Sequence, residues 1–325
     1  MNLKDLTIFL PVRDRQQNIL PQLEYYQDLT CKKIVADSSL SELKDQSIFE
    51  GTGFEYHYYE PMSFIEKFSK SLNLIQTPYF VYAGDDDKTV KETLVKCVEF
   101  LRGNPGYSMC DGNIYSIQGG KGTHHTYGDR PLQEHKYNFF SQCPVERLFF
   151  NLDRRSFFAR TRSVMRTEAW KTVLSLYTDN FHMPVQSTAA SPVGFDMVTS
   201  CVLSIKGNMK SLRDDYLIRD IFDSGKYNNQ TILFSNPQCG KETNLEKLAE
   251  MKAGRRIEGL LPIAKVLAGK IGVTKEVALE FIIDVYYHRF GGPSLIGTSR
   301  TTLRPLPVLQ HLNTWRNLHS PRPPW

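Results

Sequence analysis

The sequence predicts an α/β fold, with a mostly parallel central sheet flanked by helices. Three observations predict it. Short apolar runs rich in β formers alternate with amphipathic stretches of helical period, the links between them are short, and three of the runs end in polar clusters. Strand–helix alternation with short links is the pattern of parallel strands joined by right-handed crossovers.

The elements follow in order. Residues 6–12 (Leu-Thr-Ile-Phe-Leu-Pro-Val) form a continuous apolar run, a buried strand stopped by Arg13, Asp14 and Arg15. Residues 16–26 place Ile19, Leu20, Leu23 and Tyr26 at helical spacing. Residues 33–36 form a second strand, ended by Asp37, Ser38 and Ser39, and residues 54–59 a third. Residues 63–75 are amphipathic, with Phe64, Phe68, Leu72 and Ile75 on one stripe. Residues 78–83 form a fourth strand, closed by Gly84, Asp85, Asp86 and Asp87. A helix over 89–101 turns Val90, Leu94, Val95 and Val98 inward. Residues 107–117 and 157–165 read as strands, and 133–152 and 167–177 as helices. A further helix opens at Gly194 and runs to Leu203, and residues 210–220 form a strand that passes out of the sheet. The pattern changes near residue 236. Helical periods over 242–268 (kinked near Pro262) and 274–287 give way to a Pro-rich tail from Gly291. The expected organisation is therefore a main domain over 1–235, a helical extension over 236–290 and a tail over 291–325.

Composition narrows the class. The chain has 325 residues, 41% hydrophobic, 23% charged and 12% aromatic. These values exclude a disordered, collagen-like or disulfide-scaffold protein. Six scattered cysteines without a C-x-x-C pair give no support for a zinc site and point to a reduced cytoplasmic compartment. No apolar run reaches the roughly 18 residues of a membrane helix. The N-terminus runs straight into a strand, so no signal peptide is expected. The net charge of +5 lies in the last 41 residues, which hold five arginines and no acid. Such a tail reads either as a solvated segment or as a contact for a phospholipid surface or nucleic acid.

In open parallel sheets, ligands bind outside the carboxyl ends of the strands. Three clusters fall there: Arg13 to Arg15, Asp37 to Ser39 and Asp85 to Asp87. Adjacent carboxylates repel unless a cation or solvent offsets them. Asp85, Asp86 and Asp87 therefore suit Mg²⁺ or Mn²⁺, which take oxygen ligands from one or two carboxylates plus substrate phosphates; the plainer alternative is a helix cap at Asp87. Asp37 can accept hydrogen bonds from a nucleobase or ribose, or close an Asx-turn. Arg13 and Arg15 can grip phosphates or sit in a solvated loop. Asp196, near a helix start, can serve as a general base or as a cap. His124 and His125 lie in a Gly-rich loop, and Trp315-Arg316 in the tail reads as a packed loop or a stacking contact.

Taken together, residues 6–15, 34–39 and 80–87 resemble the three signature strands of a GT-A, Rossmann-like glycosyltransferase of the family-2-like type. The resemblance extends through Arg166-Thr167-Glu168, the helix from Phe195-Asp196 to Gly207, and Tyr216-Leu217-Ile218-Arg219, and covers about residues 5–222. The group with a Gly-Asp-Asp-Asp motif is the nearest in pattern. The resemblance implies that Pro11, Arg13 and Asp37 line a nucleotide pocket, with Asp37 toward the base. It implies that Asp85 and Asp87 form an Asp-x-Asp that holds ribose and a divalent metal, with Asp86 beside them in the cofactor site, and that Asp196 is the catalytic base. The donor is a nucleotide-sugar, UDP being the family's commonest nucleotide. Two departures stand out. The Gln-x-x-Arg-Trp motif of processive members is absent, and Phe195 stands where many members have an acid.

The implied reaction is metal-dependent transfer of a sugar to a hydroxyl acceptor with inversion, the acceptor being a cell-surface glycan or lipid-linked saccharide. A hydroxylated DNA base is an alternative acceptor, served by the basic tail. A nucleotidyltransferase is disfavoured because its Gly-rich first loop is missing. An inactive nucleotide- or glycan-binding module is the alternative of another class.

Overall fold

A computed structural model of the chain describes residues 2–62, 64–117, 125–126, 141–153, 161–180, 192–220, 263–279 and 281–282. The expected tail over 291–325, with Trp315-Arg316, lies outside the described residues, as do residues 119–122, His124 and all of 236–262.

The strands are β1 (Asn2–Val12), β2 (Thr30–Asp37), β3 (Phe54–Tyr58), β4 (Tyr79–Tyr82), β5 (Asp87–Thr89), β6 (Tyr107–Ile117), β7 (His125–Thr126), β8 (Val164–Arg166) and β9 (Asn208–Asp220). The helices are α1 (Ile19–Tyr26), α2 (Phe64–Ser71), α3 (Lys91–Gly103), α4 (Pro144–Asp153), α5 (Thr167–Asn180) and α6 (Pro192–Lys206). All nine strands join one sheet in the order β3-β2-β1-β4-β8-β6-β9-β5, with β7 on β6. Its first half, β3-β2-β1-β4, is wholly parallel, and β6 and β9 are also parallel. The antiparallel joints are at β8, β5 and β7.

Side chains alternate across this sheet and build a core on each face. Ile8, Leu10, Val12, Val35 and Val81 point to one face, where Ile19, Leu23 and Tyr26 of α1 and Leu94, Val98 and Leu101 of α3 cover them. Phe9, Ile34, Phe80 and Met109 point to the other, under α2, α4, α5 and α6. There Trp170 stacks on Phe80 with ring centroids 5.0 Å apart and meets Phe68 edge-on. Helical residues over 263–271, 275–279 and 281–282 add Ile263, Leu267, Phe281 and Ile282 to this same core. Among the described residues, no helix is long and apolar enough to cross a membrane.

Three local expectations are corrected. Leu20, expected inward, is 47% exposed, and Gln22 is buried in its place; positions 19, 22, 23 and 26 share a face, whereas 20 is rotated about 100° from 19. Asp87 caps no helix. It starts β5, paired antiparallel with β9, and α3 begins only at Lys91. The β5 conformation is fixed when Tyr26 Oη accepts the Thr89 N–H and Tyr216 O accepts the Val90 N–H. β9 does not leave the sheet but lies between β6 and β5. A helix-to-strand link of one residue leads into it. That residue is Gly207, where a Cβ would lie 2.7 Å from Ser108 N and 2.9 Å from Gly106 O.

Candidate functional site

The parallel half of the sheet brings the carboxyl ends of β2, β1 and β4 side by side, in that order. Val12 pairs with Asp37 on one side, and Ala83 N–H donates to Phe9 O on the other. The strand order reverses at β1, which makes this edge a topological switch point with a crevice between neighbouring ends. Pro11 fits this place. The backbone of Phe9 faces β4 and that of Val12 faces β2, so Pro11 faces β4 beyond the last paired residue, where no N–H is needed. Pro11 is buried.

The loop after β1 bridges the two flanking ends. Asp14 adopts φ 54°, which short Asp side chains tolerate. Its N–H donates to Ser39 Oγ at 2.8 Å, and its Oδ1 accepts the Leu40 N–H at 3.1 Å. Arg15 turns the other way. Its Nε lies 3.2 Å from Asp85 Oδ2 and its Nη1 3.2 Å from Asp86 Oδ2. Arg13 donates to Met62 O at 3.2 Å, its Nε lies 3.7 Å from Asp14 Oδ2, and it is about a third exposed.

Asp37 is fully buried. Its Oδ2 accepts from Gln16 Nε2 at 2.6 Å and Tyr56 Oη at 2.9 Å, and its Oδ1 from the Ser39 N–H at 2.9 Å and Ser39 Oγ at 2.5 Å. This is the Asx-turn alternative, elaborated into a four-bond hub. It fixes the loops that line the crevice.

The turn at the end of β4 depends on Gly84. A Cβ there would lie 2.6 Å from Asp87 Oδ2 and 3.1 Å from Asp86 Oδ1, so the carboxylates fold back over the glycine. The Asp87 N–H closes the turn on Gly84 O at 3.2 Å. Buried Gln22 donates to Asp85 O at 3.0 Å and Asp87 O at 3.1 Å, clamping the turn from α1. The three carboxylates then diverge. Asp85 is 12% exposed beside Arg15. Burial, and secondarily repulsion from Asp86, push its pKa up to about 7 against the opposing pull of Arg15. Asp87 is 1% exposed, and its Oδ2 is bound by Arg162 Nε. The Arg162 guanidinium also lies over the Tyr82 ring, 5.2 Å from its centre.

Gln22, Arg162 and Lys67 were not anticipated in this site. Lys67 of α2 is 2% exposed, and its Nζ donates to Val12 O at 2.5 Å. Its ammonium sits at the end of β1, between the ends that carry Asp37 and Asp85. Burial lowers its pKa to about 7, against the favourable fields of those two carboxylates. Its signal in the sequence is its place on the apolar face: Phe64, Lys67, Phe68 and Ser71 are i, i+3, i+4 and i+7.

The carboxylates of Asp85 and Asp86, each 12% exposed, are hard oxygen donors of the kind a divalent cation takes. Asp87, expected as a ligand, is committed to Arg162 and turned inward. Among the described residues, no three His, Cys, Asp or Glu side chains form a metal-binding group, so phosphate or water oxygens would complete any coordination shell. Asp196 is the fifth residue of α6, inside the helix, so it is not a cap. α6 runs directly into β9, which is parallel to β6, so its N-terminal end lies toward the carboxyl edge of the sheet.

No family model and no curated protein matches the chain. Solved structures of S. aureus TarS residues 1–349 are similar in outline. That fragment matches at 13% identity and TM-score 0.44, covering 88% of this chain and 91% of that one. Its complex with UDP matches at 14% identity and TM-score 0.44, and its complex with UDP-GlcNAc at 12% and 0.46, each covering 91% of this chain and 94% of that one. A likeness this distant says nothing about what the chain binds.

Proposed function

We propose that the protein is a glycosyltransferase that binds a nucleoside-diphosphate sugar in the crevice at the ends of β2, β1 and β4. The observation that carries this reading is the junction of Arg15 with Asp85 and Asp86, over a buried Lys67 and a locked Asp37. It offers cationic groups for a diphosphate beside carboxylates for sugar hydroxyls or a hard cation, at the switch point of a parallel sheet.

Each residue has a role in this reading. Arg13, at the crevice mouth, takes the phosphates; Pro11 forms the floor. Asp37 holds the loops of residues 13–16 and 39–41 that shape the nucleotide pocket. Asp85 and Asp86 face the donor sugar and would hold Mg²⁺ or Mn²⁺. A bound cation would supply screening of the charge that develops on the departing diphosphate. Asp196 accepts the proton of the acceptor hydroxyl. The acceptor oxygen then forms its bond to the anomeric carbon as the carbon–phosphate-oxygen bond breaks, and nucleoside diphosphate leaves from the opposite face with inversion. The acceptor in this reading is a saccharide hydroxyl on a cell-surface glycan or lipid-linked saccharide, with a hydroxylated DNA base as the alternative.

The test is release of nucleoside diphosphate from UDP-, GDP-, CDP- and dTDP-sugars with saccharide acceptors. Loss of a general base costs about 10²–10⁴-fold. Asp196→Asn should therefore reduce release by at least about 100-fold while nucleotide binding persists. Near wild-type turnover in Asp196→Asn would remove that assignment. Nucleotide binding without turnover of any donor would favour the binding-module alternative.

A further inference from the structure

The commitment of Asp87 to Arg162 has a consequence for how the acidic turn takes a cation. We infer that Arg162 is a built-in competitor for the cation: it occupies the Asp87 carboxylate that a divalent ion would otherwise use, so the turn holds a metal weakly until Arg162 is displaced. The inference rests on the nucleotide-sugar reading only for the identity of the cation.

Three observations support it. First, Arg162 is held in place rather than resting there. Tyr216 Oη donates to Arg162 O at 2.6 Å, and the next residue, Ser163, donates through Oγ to the buried Asp111 Oδ2 at 2.9 Å. Its guanidinium is further seated on Tyr82. Second, the pair is dry. Asp87 is 1% and Arg162 11% exposed, so water screens their attraction little. Third, each carboxylate of the turn already faces a guanidinium. Arg15 faces Asp85 and Asp86 while Arg162 faces Asp87, so a cation entering at Asp87 adds positive charge where a guanidinium already lies. A diphosphate changes this balance, because its oxygens can receive the displaced guanidinium. The cation and the nucleotide should therefore bind cooperatively.

The experiment is Mn²⁺ binding to the full chain without nucleotide, followed by electron paramagnetic resonance of free Mn²⁺. Wild type should bind weakly. Arg162→Gln should bind at least about tenfold more tightly, and the double variant Arg162→Gln/Asp87→Asn should return to the wild-type level or below. Equal or weaker Mn²⁺ binding by Arg162→Gln would overturn the inference. If Arg162→Gln is too unstable to titrate, its melting temperature gives the same answer: Mn²⁺ should raise it by more than it raises that of wild type, and an equal or smaller shift would overturn the inference. Adding UDP, GDP, CDP or dTDP to wild type separates this idea from the functional reading. If none of them binds while Arg162→Gln still gains Mn²⁺ affinity, the competition stands and the nucleotide-sugar reading falls. If a nucleotide binds but Arg162→Gln gains nothing, the reverse holds.

Discussion

At the end of β2, Asp37 is buried and accepts four hydrogen bonds, all from neutral groups. At the end of β4, three carboxylates crowd one turn against two guanidiniums, and Asp85 keeps its proton to about pH 7. The two ends flank the same strand, about two strand spacings or roughly 10 Å apart. A satisfied carboxylate has little to gain from a ligand and much to lose by moving, so it serves as framework. A crowded, poorly compensated pair gains from an incoming cation or hydroxyl, as the proposed binding surface requires. The difference between the two is decided by the number of donors each receives, not by the kind of residue.

Substitutions should break this contrast in graded ways. Gly84→Ala should have the largest effect, because its Cβ collides with the Asp87 carboxylate. Overpacking of this kind costs about 1–3 kcal/mol, measurable by urea denaturation, and the displaced turn should lose nucleotide binding as well.

The paired variants Asp37→Asn and Asp85→Asn should move stability in opposite directions. An amide at position 37 turns one acceptor oxygen into a donor facing donors, which costs about 1–3 kcal/mol. An amide at position 85 removes a carboxylate whose ionisation the fold resists. The raised pKa means that stability from this group is present below the unfolded value and is lost as pH rises through about 7. At pH 8, Asp85→Asn should therefore be more stable than wild type. Chemical denaturation of both variants at pH 8 tests the signs, and equal destabilisation would mean that the two ends are not different.

Lys67 should show itself as a slope of stability against pH. Its pKa is lowered in the fold, so the stability it contributes is present above its unfolded value and is lost as pH falls through about 7. The stability of wild type relative to Lys67→Met should rise between about pH 7 and pH 10, and parallel curves would show that Lys67 is not a buried cation.

The sequence made the framework legible where local pattern decides structure. The apolar runs of β1, β2 and β4 and the polar clusters at their ends needed only the strand period and the switch-point rule. Lys67 and Gln22 were overlooked for one shared reason: each sits at i+3 on an apolar helix stripe, where its polarity masks its burial. Arg162 gave no local signal at all, because its partner is 75 residues away and the contact exists only once β4, β8 and β9 are assembled. The role of Asp37 was legible in kind, as turn chemistry, but its saturation depends on Gln16 and Tyr56 from two other elements.

The central claim is that the ends of β2, β1 and β4 hold a nucleoside diphosphate through the Asp85–Asp86 side of the crevice. The most direct measurement is the melting temperature with UDP, GDP, CDP and dTDP, with and without Mn²⁺, for wild type and Asp85→Asn. A ligand at 100 times its Kd adds about 2.7 kcal/mol, enough to be seen as a clear shift. The account predicts a shift with one of these nucleotides, enlarged by Mn²⁺, that is reduced in Asp85→Asn although the variant itself is folded. The absence of a shift with all four, or an identical Mn²⁺-dependent shift in Asp85→Asn, would contradict it.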